Sequence, residues 1–103
     1  MKEDLLKIIY HYGREKQLKY IHTEYYELDE AILKGEYNGY NDFVLNEKAL
    51  THIAEEIADI MVMLKQFQYY YTISDEEIEK TMQYKIKRQL ERIEKEKENE
   101  TIE

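Results

Sequence analysis

Two pairs of acidic residues have the types and the spacing that a divalent cation requires. Glu24 and Glu27 form one pair, and Glu56 and Asp59 form the other, with a spacing of three residues in each. Residues three apart on a helix lie on the same side, with their Cβ atoms about 5–6 Å apart. If the two helices are antiparallel neighbours, the four carboxylates face one another across a groove. Oxygen ligands of this kind suit Mg²⁺ or Mn²⁺, which leave other positions to water and substrate phosphates.

A cluster of four carboxylates is electrostatically unfavourable unless a cation binds to it. Like charges in partial burial repel one another and raise one another's pKa. The alternative interpretation is a solvated acidic helix face, because acids at this spacing are frequent on surface helices. The four residues by themselves leave both interpretations open.

Other kinds of catalytic centre are not predicted. A di-iron carboxylate bundle needs Glu-x-x-His at two positions, and none of the three histidines has a glutamate three residues earlier. The chain contains no Cys, which excludes a thiol nucleophile and thiolate metal sites. It also lacks a glycine-rich phosphate loop, a G-x-S-x-G elbow and an HExxH motif.

The elements that must position the acids are predicted to be helices. The first covers residues 2–12 and is interrupted by Gly13. The second covers residues 14–34, where apolar side chains recur at spacings of three and four and mark the predicted inner face: Leu18, Ile21, Tyr25, Leu28 and Ile32. Residues 34–42 hold two glycines together with Asn and Asp, and we expect a loop there.

Two further helices follow the loop. The third is predicted over residues 47–72, with Asn46 as its N-cap. Its predicted inner face consists of Leu50, Ile53, Ile57, Ile60, Leu64, Phe67 and Tyr71. The fourth begins at the capping box of residues 74–77 (SDEE). We therefore expect an all-α, four-helix-bundle-like domain over residues 1–97, followed by a frayed, charged tail over residues 98–103.

Composition excludes several classes of protein. The 103 residues include no Pro and only three Gly, which argues against a turn-rich β-sandwich or barrel. The net charge of −8 disfavours nucleic-acid binding, which needs clustered Lys and Arg. No apolar stretch approaches the length of a membrane span and no apolar signal region follows the first residues. We expect a cytoplasmic protein that binds neither nucleic acid nor membrane.

Self-association is predicted from two segments of the third helix. Residues 57–64 (IADIMVML) are apolar almost all round, so the helix needs cover on most sides. Residues 69–71 are three consecutive tyrosines that point in different directions, although exposed aromatic residues are also normal on protein surfaces. We expect a homodimer or a homotetramer.

The sequence segments around the acidic pairs resemble the motifs of a known family. TEYYELDEAI (residues 23–32) and AEEIADIMVML (residues 54–64) look like the motifs of the all-α nucleoside triphosphate pyrophosphohydrolases of the MazG-like superfamily. The hallmark of that family is E-x-x-E, a spacer, and then E-x-x-D, and residues 28–55 make a spacer at the long end of the range. YGREKQ (residues 12–17) is similar to the family's aromatic-Gly…Gln lead-in, with Tyr where Trp is common.

This resemblance covers about residues 10–92 and implies an activity. The resemblance implies an Mg²⁺-dependent enzyme that hydrolyses a nucleoside or deoxynucleoside triphosphate to the monophosphate and pyrophosphate. By it Glu24, Glu27, Glu56 and Asp59 hold the metal ion, which activates a water molecule. Either Glu27 or Glu56 accepts the proton of that water, and the sequence does not choose between them.

Substrate contacts are predicted at three residues outside the acidic pairs. Lys85 and Arg88 lie on one side of the fourth helix, where they would pair with phosphate oxygens or else with neighbouring glutamates. Gln17 lies seven residues before Glu24 and shares its helix face, either to meet the substrate or as a surface amide. The alternative function is a non-catalytic helical oligomer that acts as a regulatory or assembly protein.

Overall fold

The structure, a computed structural model, describes residues 1–38 and 47–102 and contains no strand in these ranges. It consists of α1 (Lys2–Tyr12), α2 (Arg14–Asn38), α3 (Glu47–Tyr70) and α4 (Asp75–Ile102). The predicted all-α class and the four helices are confirmed. The predicted Asn46 N-cap, and residues 39–42 of the predicted loop, lie outside the described residues.

Local sequence signals correctly predict the boundary between α1 and α2 and the start of α4. Gly13 separates α1 from α2 with φ 92°, a backbone conformation that glycine adopts without steric cost. The capping box also forms as predicted, since the backbone N–H of Glu77 donates to the Ser74 hydroxyl oxygen at 3.1 Å. α2 extends to Asn38, so residues 35–38 are helical where the sequence predicts a loop. Gly35 is buried in the helix one turn after the buried Ala31, and tertiary packing of this kind overrides the glycine preference of about 1 kcal/mol against a helix.

The first compact unit, Met1–Tyr71, contains α1, α2 and α3. α2 and α3 pack against each other along their lengths, and α1 packs mainly on α3. The pairing is antiparallel, because Gln17 near the start of α2 bonds to Gln66 near the end of α3. Further along, one carboxylate oxygen of Glu27 and one of Glu56 lie within 4.8 Å of each other. The core of this unit consists of Leu5, Ile9, Ile21, Ala31, Ile60 and Met63.

The predicted apolar face of α2 is confirmed in part, because Ile21 is buried and Leu28 and Ile32 are half-buried. Leu18 and Tyr25 belong to the predicted inner face but are 47% and 50% exposed. Their neighbours Gln17 and Glu24 are buried instead, at 6% and 4% exposure. The buried face is therefore turned by less than one residue (about 100°) from the predicted one, and it carries Gln17 and Glu24 beside Ile21 and Ala31.

The predicted inner face of α3 is likewise confirmed in part, because Ile60 is buried and Ile53 and Phe67 are half-buried. Ile57 and Leu64 of that face are instead 44% and 47% exposed, whereas Met63, outside it, is buried and Glu56 is half-buried. Five of the exposed apolar residues lie roughly 100° around their helices from Glu24 and Glu56, and we call these five the apolar edge: Leu18, Tyr25, Leu50, Ile57 and Leu64.

The second compact unit begins at Thr72 and contains α4. This helix continues to Ile102, so residues 98–102 are helical where the sequence predicts a frayed tail. Glu94 and Lys97, three residues apart in this helix, form an exposed ion pair at 3.8 Å. The boundary of a single domain at residue 97 stays a prediction. Across the part of the chain that the structure describes, no helix combines the length and apolarity needed to cross a bilayer.

Candidate metal centre

Three of the four predicted acids converge between α2 and α3. Glu24, Glu27 and Glu56 each offer one carboxylate oxygen, and these three oxygens all lie within 4.8 Å of one another. The antiparallel pairing of the helices produces this arrangement, because it sets the acidic turn of α2 opposite the acidic turn of α3. The expectation that the two pairs face each other across a groove is confirmed for these three residues.

Glu24 is the most deeply buried of the acids. Its side chain is 4% exposed, and its Oε2 has no hydrogen-bond partner among the described residues. Burial raises the pKa of the Glu24 carboxyl, and the neighbouring charges of Glu27 and Asp59 raise it further. A hydrogen bond from the Tyr20 hydroxyl acts in the opposite direction. The interpretation of Glu24 as part of a solvated face is therefore wrong.

Glu56 lies opposite Glu27 and is half-buried. Desolvation raises the pKa of Glu56, and the charges of Glu27 and Asp59 add to the effect. A hydrogen bond between Glu56 and Glu27 raises it as well, because this bond requires one of the two carboxyls to keep a proton. The Oε2 of Glu56 is a second buried oxygen without a partner in the described part of the chain.

Asp59 lies at the edge of the cluster. It is exposed and is not one of the three acids whose oxygens converge. Its charge nevertheless raises the pKa of both Glu24 and Glu56, so it lies within electrostatic reach of the centre. The set of oxygens fits a hard cation such as Mg²⁺ or Mn²⁺, which would occupy the place of the missing hydrogen-bond donors.

Two cavities adjoin the acids, one toward each end of the hairpin. The first, which we call the amide cavity, has a volume of about 480 Å³ and reaches from the acids toward α1. It is lined by Ile8, Tyr12, Lys16, Gln17, Tyr20, Glu24, Glu27, Asp59, Val62, Met63 and Gln66. The second, of about 820 Å³, lies toward the end of α2 and includes Glu27, Lys34, His52 and Glu56 in its lining.

Gln17 is a buried residue of the amide cavity, so the alternative of a surface amide is wrong. Its side-chain N–H donates to the Gln66 amide oxygen at 2.8 Å. Gln66, which is 1% exposed, is a residue that the sequence analysis missed. The same seven-residue relation could have found it, because Gln66 follows Asp59 by seven residues as Gln17 precedes Glu24 by seven.

Lys85 and Arg88 lie on α4, in the second compact unit, and both are exposed. The guanidinium of Arg88 stands over the Tyr84 ring, 5.8 Å from its centroid. This cation–π contact leaves the donor edge of the guanidinium available to an anion. Phosphate binding by the two residues stays a prediction.

The sequence matches no protein-family model, no curated protein and no solved structure at a significant level. The assignment of a function therefore depends on the geometry of the acids and on the motifs that surround them in the sequence.

Proposed function

We propose that this protein hydrolyses a nucleoside or deoxynucleoside triphosphate to the monophosphate and pyrophosphate, with Mg²⁺ as its cofactor. One observation carries the proposal. Glu24 and Glu56 each bury a carboxylate oxygen without a partner among the described residues, inside a group of three oxygens that lie within 4.8 Å. A cation held by Glu24, Glu27 and Glu56, with Asp59 at the edge, satisfies both oxygens and offsets the repulsion.

A purely structural role does not account for such a group. Burying a charged or polar atom without a partner destabilises a fold, by about 1–3 kcal/mol for a lost hydrogen bond and more for a charge. Leu or Met at the position of Glu24, which is 4% exposed, would avoid this loss. A bound cation would satisfy the buried carboxylate oxygens and so offset this loss of stability.

The chemistry divides between the ion and the side chains. Bound Mg²⁺ neutralises phosphate oxygens and lowers the pKa of a bound water molecule. Glu24 is held by the hydrogen bond from Tyr20 and therefore provides a fixed oxygen. Glu27 and Glu56 both belong to the convergent group, and either of them accepts the proton of the attacking water.

The choice of a nucleotide as substrate rests on the resemblance of residues 23–32 and 54–64 to the MazG-like motifs. A cavity beside the acids has room for a ligand of nucleoside size, since its volume is about 480 Å³. In this proposal Lys85 and Arg88 bind phosphate oxygens that the cation does not reach, as cations on a helix do in many phosphate sites.

A homodimer or homotetramer is part of the proposal. The apolar edge exposes about half of each of its five side chains in the single chain, including Ile57 at 44% and Leu50 at 51%. Contiguous apolar residues on one side of a helix pair are typical of an interface between subunits. The same edge also favours the alternative, a helical oligomer without catalysis, because assembly alone would explain it.

The test is a screen of all common nucleoside and deoxynucleoside triphosphates for phosphate release, with and without added inorganic pyrophosphatase. We expect at least one substrate to give phosphate only when both Mg²⁺ and the pyrophosphatase are present, together with a monophosphate product. The variant Glu56→Gln should be inactive, and Glu55→Gln, whose side chain is 68% exposed, should match the wild type. Absence of turnover with every triphosphate in Mg²⁺ and in Mn²⁺ would leave the non-catalytic oligomer as the better account.

A further inference from the structure

We infer that Gln66 fixes Gln17 as a hydrogen-bond acceptor for an N–H group on the base of the substrate, inside the amide cavity. This inference rests on the proposed function and deepens it, since it assigns the base-recognising residues and the direction of the nucleotide. The two glutamines are far apart in the sequence but in direct contact, with Gln17 Nε2 donating to Gln66 Oε1 at 2.8 Å.

The hydrogen bonds define which atom of Gln17 is free. Its amide nitrogen donates to Gln66 Oε1 and, more weakly, to the Met63 sulfur at 3.8 Å. The amide nitrogen of Gln66 also donates to the Met63 sulfur, at 3.7 Å. Both amides are therefore held with their nitrogens toward Met63. Both hydrogen bonds of Gln17 are made by its Nε2, and Gln17 lines the cavity, so its Oε1 is the acceptor offered to a ligand there.

The rest of the cavity wall suits a flat ring. Ile8, Val62 and Met63 supply apolar surface, and Tyr12 and Tyr20 supply aromatic rings. Ligand sites of this kind combine mostly apolar walls with a few fixed polar groups that set orientation and specificity. A nucleobase presents a flat ring with N–H groups at its edge, so it matches both parts of the wall.

The distance along α2 between Gln17 and the acids matches the length of a nucleotide. Gln17 precedes Glu24 by seven residues, which at 1.5 Å per residue places the amide about 10 Å from the acids along the helix axis. On the antiparallel α3, Gln66 stands at the same separation from Asp59. A nucleotide whose α-phosphate lies at the acids can reach the amide pair with its base across the sugar. The base then points toward α1, and the leaving pyrophosphate points toward the end of α2.

The direct test is independent of hydrolysis and of the metal ion. The side-chain amide signals of Gln17 and Gln66 are followed by NMR in the wild-type protein while uridine, cytidine, adenosine or guanosine is added. We expect at least one nucleoside to shift the Gln17 signals. Its analogue with the base N–H replaced by N-methyl should bind about 5- to 150-fold more weakly, as expected for a polar group that loses its partner.

A kinetic test separates recognition from chemistry. Gln66→Leu should raise KM for the preferred triphosphate about 5- to 150-fold, with kcat and the stabilisation by Mg²⁺ unchanged. Gln68→Leu is the matched control, because Gln68 is buried on the same helix but does not line the cavity. An unchanged KM in Gln66→Leu, or Gln17 signals that no nucleoside moves, would overturn the inference even if the enzyme is active. Shifted signals in a protein without hydrolysis would support the binding site and contradict the proposed function.

Discussion

Tyr20 donates a hydrogen bond to the buried carboxylate of Glu24 from one turn earlier on α2. The bond and the charge of Glu24 raise the pKa of the Tyr20 hydroxyl, which therefore stays a donor at neutral pH. In return, the bond offsets part of the rise in the pKa of Glu24. It also fixes the orientation of a carboxylate whose other oxygen has no partner among the described residues. Tyr20 is a positioning residue for the candidate metal centre.

Replacing this donor should weaken the metal site without removing it. Tyr20→Phe loses a hydrogen bond to a charged group, which contributes about 1.5–3 kcal/mol, so Mg²⁺ should bind about 10- to 150-fold more weakly. The measurement is the melting temperature as a function of Mg²⁺ concentration. Tyr25→Phe is the control, since Tyr25 lies on the apolar edge and is 50% exposed. Equal Mg²⁺ affinity in the two variants would contradict the positioning role.

Neutralising a convergent acid should abolish both metal binding and activity. Glu24→Gln keeps the shape of the side chain but removes the charge that holds the cation. The stability of the metal-free protein should stay level or rise, because repulsion within the cluster falls. Melting curves with and without Mg²⁺ and circular dichroism check these outcomes. A variant that melts higher with Mg²⁺ by as much as the wild type would exclude Glu24 as a ligand.

The stability of the metal-free protein should increase as the pH falls from neutral. The folded state raises the pKa of Glu24 and Glu56 above the ordinary glutamate value of 4.5. The folded protein therefore takes up protons at a higher pH than the unfolded chain, so stability rises as the pH falls through the folded pKa values toward 4.5. Above the folded pKa values both states are ionised, and the full repulsion remains in the fold.

This pH dependence has an internal control. Glu24→Gln removes one of the two shifted groups, so its melting temperature should change less with pH than that of the wild type. Saturating Mg²⁺ should flatten the wild-type profile in the same way, because the cation replaces the protons. Parallel profiles for the wild type and Glu24→Gln in the absence of metal would show that Glu24 does not titrate as described.

Loss of the basic residues of α4 should affect the substrate and not the cation. Lys85→Ala and Arg88→Ala should each lower kcat/KM about 10- to 150-fold, the effect of a lost charge-assisted hydrogen bond of about 1.5–3 kcal/mol. Mg²⁺ should stabilise both variants as it does the wild type. Lys87→Ala is the control, because Lys87 points to another side of the helix. If Lys87→Ala lowered kcat/KM as much, the effect would come from the loss of positive charge in general and not from contacts of Lys85 and Arg88 with phosphate.

Charges on the apolar edge should separate the subunits. Ile57→Lys and Leu64→Lys place a cation at side chains that are 44% and 47% exposed in the single chain, so each chain should fold. A cation buried in a subunit interface is strongly unfavourable, and the variants should be monomers of 12.7 kDa in light scattering. Ala58→Lys, about 100° around α3 from Ile57, should keep the wild-type mass. A wild-type protein that is itself a 12.7 kDa monomer would overturn the oligomer.

The sequence by itself determined where the helices lie and which residues share one side of a helix. Gly13 and the capping box at Ser74 predict helix ends that the structure confirms. The spacing of three also places Glu24 with Glu27 on one side of α2, because helical periodicity is a property of the backbone alone. These features depend on residues within one or two turns of each other, and neighbours along the chain are sufficient to specify them.

Only the tertiary structure decided which side of each helix is buried. Leu18 with Tyr25 and Gln17 with Glu24 form two rows about 100° apart on α2, and periodicity favours the apolar row. Packing against α3 buries Gln17 and Glu24 beside Ile21 and leaves Leu18 and Tyr25 exposed, because Gln66 meets Gln17 and Glu56 lies opposite Glu27. The partners of these buried polar groups are about 30–50 residues away in the chain. Whether each group finds its partner therefore depends on how α2 and α3 are aligned against each other. This alignment of the two helices brings the Gln17 and Gln66 amides into contact and makes the carboxylates converge.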